Sequence, residues 1–242
     1  MKGLCAILFN FTKIIHYSVG SKNKLRRFRE NEAFENVIQP TREQLETDQF
    51  SLKGKWKQGF FKNENPIVLE LGCGKGEYTI GLSKQDSEKN FIGIDIKGAR
   101  FWRGAKTAIE ENLKNVAFIR TQIELIDTIF AKNEVDEIWI TFPDPQIKYK
   151  RTKHRLTNAS FLKKYKHILK PNGVVNLKTD SEFMHGYTLG LLHGEGHEVV
   201  YAHHNIYKNE YSPKAVREIQ TFYEKQYLEQ GKPITYIQFK IK

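Results

Sequence analysis

From Ile67 onward, short apolar runs alternate with longer mixed stretches. The runs are Ile67–Leu71, Phe91–Ile94, Val116–Ile119, Val135–Thr141 and Val174–Leu177. Each is rich in β-branched or aromatic side chains and bounded by turn residues, which predicts strands buried on both faces. The stretches between them are long enough for crossover helices. Repeated βα units of this kind predict an α/β fold with a mostly parallel sheet, helices on both faces and ligand sites at the carboxyl ends of the strands. Alternation in "ITYIQFKIK", through Ile234, Tyr236 or Ile237, and Phe239, predicts a final strand close to the sheet edge. The chain carries no internal repeat and no low-complexity tract.

Upstream the pattern changes. "SKNKLRRFR", from Ser21 to Arg29, sets five cations around Leu25 and Phe28 without an apolar face that could build a core, and it reads as a basic arm. Residues 30–65 are polar with scattered aromatics, Phe34, Phe50, Trp56, Phe60 and Phe61, as expected of a segment that wraps a domain through a few anchors. The expected division is an extension at residues 1–20, the arm and wrapping segment at 21–65, and the main domain at 66–242. The apolar stretch from Leu4 to Phe11 is too short to cross a bilayer and is broken by Asn10, with Lys13 close behind. No small-x-small cleavage site precedes the basic run, and no other stretch is long and apolar enough for a membrane span.

Charge narrows the class of partner. Among 242 residues, 39 Lys and Arg face 28 Asp and Glu, and the net charge of +11 favours an anionic partner, of which nucleic acid is the commonest for such a chain. Cys5 and Cys73 cannot form a disulfide framework, so a reducing, cytoplasmic setting is expected.

The first candidate chemistry follows the first strand. "VLELGCGKGEY" places Gly72, Gly74 and Gly76 two residues apart, a spacing that lets backbone turn tightly and approach a ligand at a helix start. A dinucleotide site would want its third glycine at position 77, which is Glu77. Glu70, just before the first glycine, suits a cationic ligand better than a pyrophosphate. "FIGIDIKG" ends the second strand in Asp95, where a carboxylate can bind both hydroxyls of a ribose. Ribose and positive charge without phosphate point to S-adenosylmethionine, and here the chain resembles class I methyltransferases.

At the end of a later strand comes "FPDPQIKYKRTKHRLTN". Pro143 and Pro145 restrict the backbone around Asp144, and Lys148, Lys150, Arg151, Lys153 and Arg155 follow with no acid before Asp180. An uninterrupted run of this density can neutralise several phosphates. "NLKTDSEF" brings Lys178, Thr179 and Asp180 to the rim, and "TFYEKQYLEQGKPI" holds Thr221, Tyr223 and Glu224 before the final strand.

Together "ELGCGKG", "GIDIKG", "FPDPQIK", "RLTN", "LKTD" and "TFYE…GKPI" resemble the bacterial tRNA (guanine-N7)-methyltransferases, from about Lys22 to Lys242. The resemblance implies a Rossmann-like class I fold with a seven-stranded sheet and S-adenosylmethionine as cofactor. It implies tRNA as partner, with the methyl going to a variable-loop guanine at tRNA position 46, in a monomer or homodimer. Glu70, the three glycines, Asp95 and Asp144 would hold the cofactor, with Asp144 also at the catalytic centre. Lys148, Asp180, Thr221, Tyr223 and Glu224 would meet the substrate, and Lys150, Arg151, Lys153 and Arg155 the RNA. Two departures stand out. Many relatives place an acid after the third strand for the adenine amino group, where this chain has Thr121 and Gln122, either of which can still hydrogen-bond the base. Relatives also often carry Trp where Gln146 stands, which removes a stacking ring.

Guanine N7 carries an in-plane lone pair and no proton, so its methylation needs positioning and charge management and no general base. Asp144, Asp180 and Glu224 are the acids expected to stabilise the developing positive charge or to read the guanine N1–H and N2–H₂ edge. A small-molecule methyltransferase would have no use for the basic run. An RNA-binding protein on a methyltransferase scaffold would bind RNA without cofactor. His193 and His197 have zinc-like spacing, but Gly194 and Gly196 argue against a helix there and no third ligand is evident, so no metal is expected. Cys73 reads as packing, since no base neighbours it.

Overall fold

The computed structural model describes residues 19–242, with side chains from residue 23; the expected extension at 1–20 lies almost wholly outside them. In chain order the helices and strands are α1 (Val19–Ala33), β1 (Val37–Ile38), α2 (Arg42–Glu46), β2 (Ile67–Leu71), α3 (Glu77–Gln85), β3 (Asn90–Ile94), α4 (Gly98–Glu110) and β4 (Val116–Ile119). They continue as α5 (Ile126–Ile129), β5 (Val135–Thr141), α6 (Ala159–Ile168), β6 (Leu169–Thr179), α7 (Glu182–Gly194), β7 (Glu198–His203), α8 (Lys214–Glu218), α9 (Phe222–Glu229) and β8 (Thr235–Lys240).

One sheet carries the strands in the order β1-β4-β3-β2-β5-β6-β8-β7, parallel from β1 to β6 and antiparallel at β8 and β7. It has eight strands where seven were expected. The addition is β1, two residues pairing with β4 through Val37 and Phe118, too short to leave an apolar run in the sequence. β6 also begins five residues before Val174. Leu169 pairs with Val135, the ladder slips, and Asn172 takes a left-handed φ of 67°, so a bent start through Pro171 hides the strand from its pattern.

Alternation within the strands sorts the core. Leu69, Ile92, Ala117, Ile138, Val175 and Ile237 face α5, α6 and α7, while Val68, Phe91, Trp139 and Tyr236 face Tyr78 of α3 and Val216 of α8. The sheet is therefore covered on both sides, as near-continuous apolar strands require. The wrapping segment contributes to the first of these cores: Leu45, Phe50, Trp56 and Phe61 are buried in it, the last two in a π-helical turn over Trp56–Phe61. Trp56 is fully buried, stacks on Phe130 at 5.5 Å and donates its indole N–H to Ile129 O at 3.2 Å.

Two local expectations are corrected. The basic arm is a helix docked on α4, because Asn31 donates to Gly98 O at 2.9 Å and Glu30 accepts from the indole of Trp102 at 2.5 Å. Gly194 does not prevent a helix at His193: α7 runs through it and stops only where Gly196 takes a φ of 73°. His197 lies beyond that end, its ring accepting from the Lys242 amide, so the two histidines do not share a helix face. Among the described residues no helix is long and apolar enough to cross a membrane, and none of His, Cys, Asp and Glu cluster as a metal site.

Trp56→Ala removes an aromatic anchor together with its hydrogen bond and is expected to cost about 3–5 kcal/mol. Urea unfolding reads this as a lowered midpoint at unchanged slope, and a loss below about 1 kcal/mol would show that the wrapping segment is dispensable to the core.

Candidate active site

β2 leads through α3 to β3 on one side, while its other neighbour is β5, so the direction of winding reverses between β2 and β5. A crevice opens outside the carboxyl ends of strands at such a point. The glycine loop leaves β2 there and the Pro-Asp-Pro segment leaves β5. Gly72, Gly74 and Gly76 all have left-handed φ, at 76°, 55° and 75°. A Cβ on Gly72 or Gly74 would meet nothing within 4 Å, so these two leave open backbone at the crevice. Gly76 serves packing instead: a Cβ there would stand 2.6 Å from the ring of Phe118.

A cleft of about 330 Å³ lies over these strand ends. Gly72, Asp95, Thr121 and Gln122 line it, four of the residues expected at the cofactor, together with Arg151, which was expected at RNA. Asp95 is half-buried; one carboxylate oxygen accepts from the Gly74 amide at 3.1 Å and the other from the Lys97 amide at 2.7 Å. It thus pins the glycine loop while keeping lone pairs for ribose hydroxyls. Open glycine backbone, a fixed carboxylate and polar groups at Thr121 and Gln122 fit an adenosine-bearing ligand, so the chain's residues suit S-adenosylmethionine.

Glu124, Gln146 and His154 also line this cleft, and sequence reasoning missed them. A turn of 3-10 helix over Ile123–Leu125 brings Glu124 to the same rim, two residues beyond Gln122. His154 Nδ1 lies 4.0 Å from it, across the mouth.

Four expected site residues need correction. Glu70 does not face the cleft. It is 3% exposed, accepting from the amide of Thr79 at 2.8 Å and from its hydroxyl on one oxygen, and from Thr141 Oγ1 at 2.7 Å on the other. Burial raises its pKa to about 7, outweighing the hydrogen bonds from Thr79 and Thr141 that lower it. Glu224 is fully buried and held by Lys178 Nζ at 2.7 Å and Tyr207 Oη at 2.7 Å, while closing a capping box with Thr221 at the start of α9. Neither Thr221 nor Glu224 is free to meet a base edge, although Tyr223, 47% exposed, is. Arg155 is 5% exposed, donates to the carbonyls of Gln146 and Ile147, and lies against the rings of Phe183 and Tyr187 at 4.8 and 4.4 Å. It shapes the Pro-Asp-Pro loop and has no face left for phosphate.

Other expected residues are accessible. Asp144 is exposed, with one carboxylate oxygen accepting from the Gln146 amide at 3.0 Å. Phe142 and Gln146 on either side both have φ of 47°, a costly conformation for residues with a Cβ and hence a sign that this loop is held in place. Lys148, Lys150, Arg151 and Lys153 are exposed beside it, the latter three in a 3-10 turn over Tyr149–His154. Asp180 is half-buried at the end of β6, close enough to Tyr227 to help raise that phenol's pKa after burial itself. Lys178, one strand position earlier than Thr179, is fully buried and donates to Ile219 O at 2.9 Å as well as to Glu224. Its burial lowers its pKa to about 8 against the pull of Glu224.

A family described as putative methyltransferase matches residues 64–237. A tRNA (guanine-N(7)-)-methyltransferase of Christiangramia forsetii is 77% identical over 93% of this chain and all of its own length. One of Bacteroides fragilis is 47% identical over 90% of this chain and 85% of its own. Among solved structures, a 16S rRNA methyltransferase aligns with a TM-score of 0.60 at 11% identity, over 78% of this chain and 93% of that one, a likeness of fold.

Lys178→Met leaves Glu224 buried and uncompensated and is expected to cost about 3–5 kcal/mol. Lys178→Met with Glu224→Leu should regain much of this, and a single variant within about 1 kcal/mol of wild type in urea would show that the pair does not hold α9. Glu70 gives a pH signature. Its folded pKa of about 7 exceeds the ordinary 4.5, so the folded state binds the extra proton and loses stability as pH rises between those values. The difference in unfolding free energy between wild type and Glu70→Gln should therefore shift by up to about 3 kcal/mol in favour of Gln from pH 4 to pH 8. A flat difference would mean that folding leaves the titration of Glu70 where it is in the unfolded chain.

Proposed function

The chain belongs to the tRNA (guanine-N7)-methyltransferase family, and from that premise we propose how its own residues divide the work. The reaction is methylation of a guanine N7 in tRNA with S-adenosylmethionine as cofactor. When bound, the cofactor supplies a methyl group activated by its sulfonium. Asp95 takes the ribose hydroxyls, the open backbone at Gly72 and Gly74 borders the rest of the ligand, and Thr121, Gln122 and Glu124 offer polar partners to the adenine.

The target is a variable-loop guanine. N7 needs no deprotonation, so the chain contributes geometry and negative charge. Asp144 stands two residues before Gln146, which lines the cleft, its carboxylate held by the Gln146 amide and its backbone by two prolines. As the purine becomes cationic, this carboxylate stabilises it more than the neutral base, which accelerates the transfer. Asp180, across on β6, is the second accessible acid and accepts from the N1–H and N2–H₂ edge, a pattern that adenine lacks. Glu224 serves indirectly by fixing α9 and presenting Tyr223. Lys148, Lys150, Arg151 and Lys153 grip the flanking phosphates. Tyr149, 93% exposed among them, offers a ring to a neighbouring base where Gln146 cannot.

The observation that carries this reading is an exposed, backbone-fixed Asp144 bonded to Gln146 of the cofactor cleft and followed by an uninterrupted cationic turn. The test is methyl transfer from labelled S-adenosylmethionine to unmodified tRNA with nucleoside analysis. Wild type should place label in 7-methylguanosine. Asp144→Ala should lower kcat by about 10²- to 10³-fold while binding S-adenosylmethionine normally. Label in another nucleoside, or an unimpaired variant, would reject the assignment of Asp144.

A further inference from the structure

A second concentration of positive charge lies where α1 packs on α4, outside the cleft. Arg27, Lys106 and Arg26 surround the ring of Trp102 at 4.9, 5.4 and 6.0 Å, and Arg120 covers Phe28 at 4.7 Å. These rings fix cations that would otherwise be mobile, so less order has to be imposed when they meet an anion. Lys24, Arg29, Lys97, Arg100 and Arg103 are exposed on the same elements or their ends. No acid interrupts residues 23–29 or 97–109, and the acids of the two helices are Glu30, Glu32 and Glu110. Glu30 is already taken by Trp102 and by Arg26 at 3.5 Å.

The position of this face matters as much as its charge. Lys97 follows Ile96, and Arg120 precedes Thr121, and both Ile96 and Thr121 line the cofactor cleft. The cationic surface therefore starts at the rim on the α4 side, while the turn over Tyr149–His154 stands on the β5 side. Arg100, Arg103 and Lys106 recur every three residues, and Arg26 and Arg29 do likewise, which sets them in rows along neighbouring turns. Among its described side chains α1 lacks the apolar face that a membrane-lying helix buries: Phe28 is covered by Arg120, leaving Leu25 exposed.

We propose that the α1–α4 face is a second tRNA-binding surface, which engages the phosphate backbone away from the target guanine and orients the molecule over the cleft. The proposal rests on tRNA being the substrate. Binding here is electrostatic and sequence-independent, and it contributes affinity and register without touching the reacting base.

The test is the triple variant Arg29→Gln/Arg100→Gln/Arg103→Gln, whose side chains are exposed and lie outside the cleft. Binding to unmodified tRNA is titrated across salt concentrations, alongside methyl-transfer kinetics and S-adenosylmethionine binding. The expected result is a higher KM for tRNA and a salt dependence flattened by about 2–3 in the slope of log K against log salt, one for each lost contact at most. kcat at saturating tRNA and cofactor affinity should stay at wild-type values. The charge-preserving Arg→Lys triple should regain most of the affinity, which separates charge from packing. Unchanged KM and salt slope in the Gln triple would overturn the proposal. So would loss of binding to phosphatidylserine vesicles with tRNA binding intact, which would reassign the face to a membrane surface. If wild type neither binds nor methylates tRNA, it is the substrate reading that fails, and this arm of the experiment shows that separately.

Discussion

Glu70 sits where the sheet changes direction, and its carboxylate ties the three elements that diverge there. It belongs to β2, binds Thr79 of α3 through both amide and hydroxyl, and binds Thr141 of β5. Parallel strands on either side of a switch point have no hairpin to join them, and their carboxyl ends would otherwise be free to splay around the crevice. A buried acid shared by hydroxyls on both sides closes that gap from beneath. The glycine loop above can then be open backbone, because its base is held by Glu70 and its far side by Asp95 through the Gly74 amide. Burying the acid has a cost, visible in a pKa raised to about 7. What it gives in return is a rigid floor that leaves the cleft to groups that meet ligands.

An ion pair repeats this logic at the end of β6. Lys178 and Glu224 are both fully buried, and such a pair contributes little net stability over apolar residues of the same size. Its effect here is geometric. β6 presents Lys178, α9 presents Glu224, the loop before α8 adds Tyr207, and the Ile219 carbonyl completes the ammonium's partners. The C-terminal segment is thereby fastened to the same strand end that carries Asp180. Phe222 and Tyr223 are displayed as a result, with Lys75 of the glycine loop 4.0 Å from the Phe222 ring and the Glu77 carboxylate accepting from the Phe222 amide. The glycine loop and the start of α9 thus touch directly.

The strands at 67–71, 116–119 and 135–141 were legible to the residue, because full burial leaves a pure apolar run between turn signals. β1 was not, since two residues cannot form a pattern, and α1 was not, since its contacts with α4 are made by Arg, Asn and Glu side chains that read as solvent-facing. At the site, the types of residue were readable and their orientation was not. Glu70, Arg155 and Glu224 are an acid, a base and an acid in motifs rich in ligand chemistry, yet each turns inward to satisfy backbone or partner groups. Spacing along a strand says which end of the sheet a residue reaches. It does not say whether the side chain points into the crevice or under it.

That distinction explains why a chain of charge +11 keeps so many acids at one end of its sheet. A cationic groove alone would hold RNA in many registers, since phosphates look alike. The accessible acids at this end of the sheet, Asp95, Glu124, Asp144 and Asp180, set negative charge inside a positive rim. Phosphates are drawn to the rim and repelled from the centre, so the centre is left for a group that is neutral when it arrives and cationic after it reacts. The two prolines around Asp144 and the left-handed φ values of Phe142 and Gln146 keep that carboxylate from collapsing onto the lysines and arginines that follow it. Without such a restraint the nearest cation would neutralise the acid, and a base that gains charge only in the transition state would find nothing waiting for it.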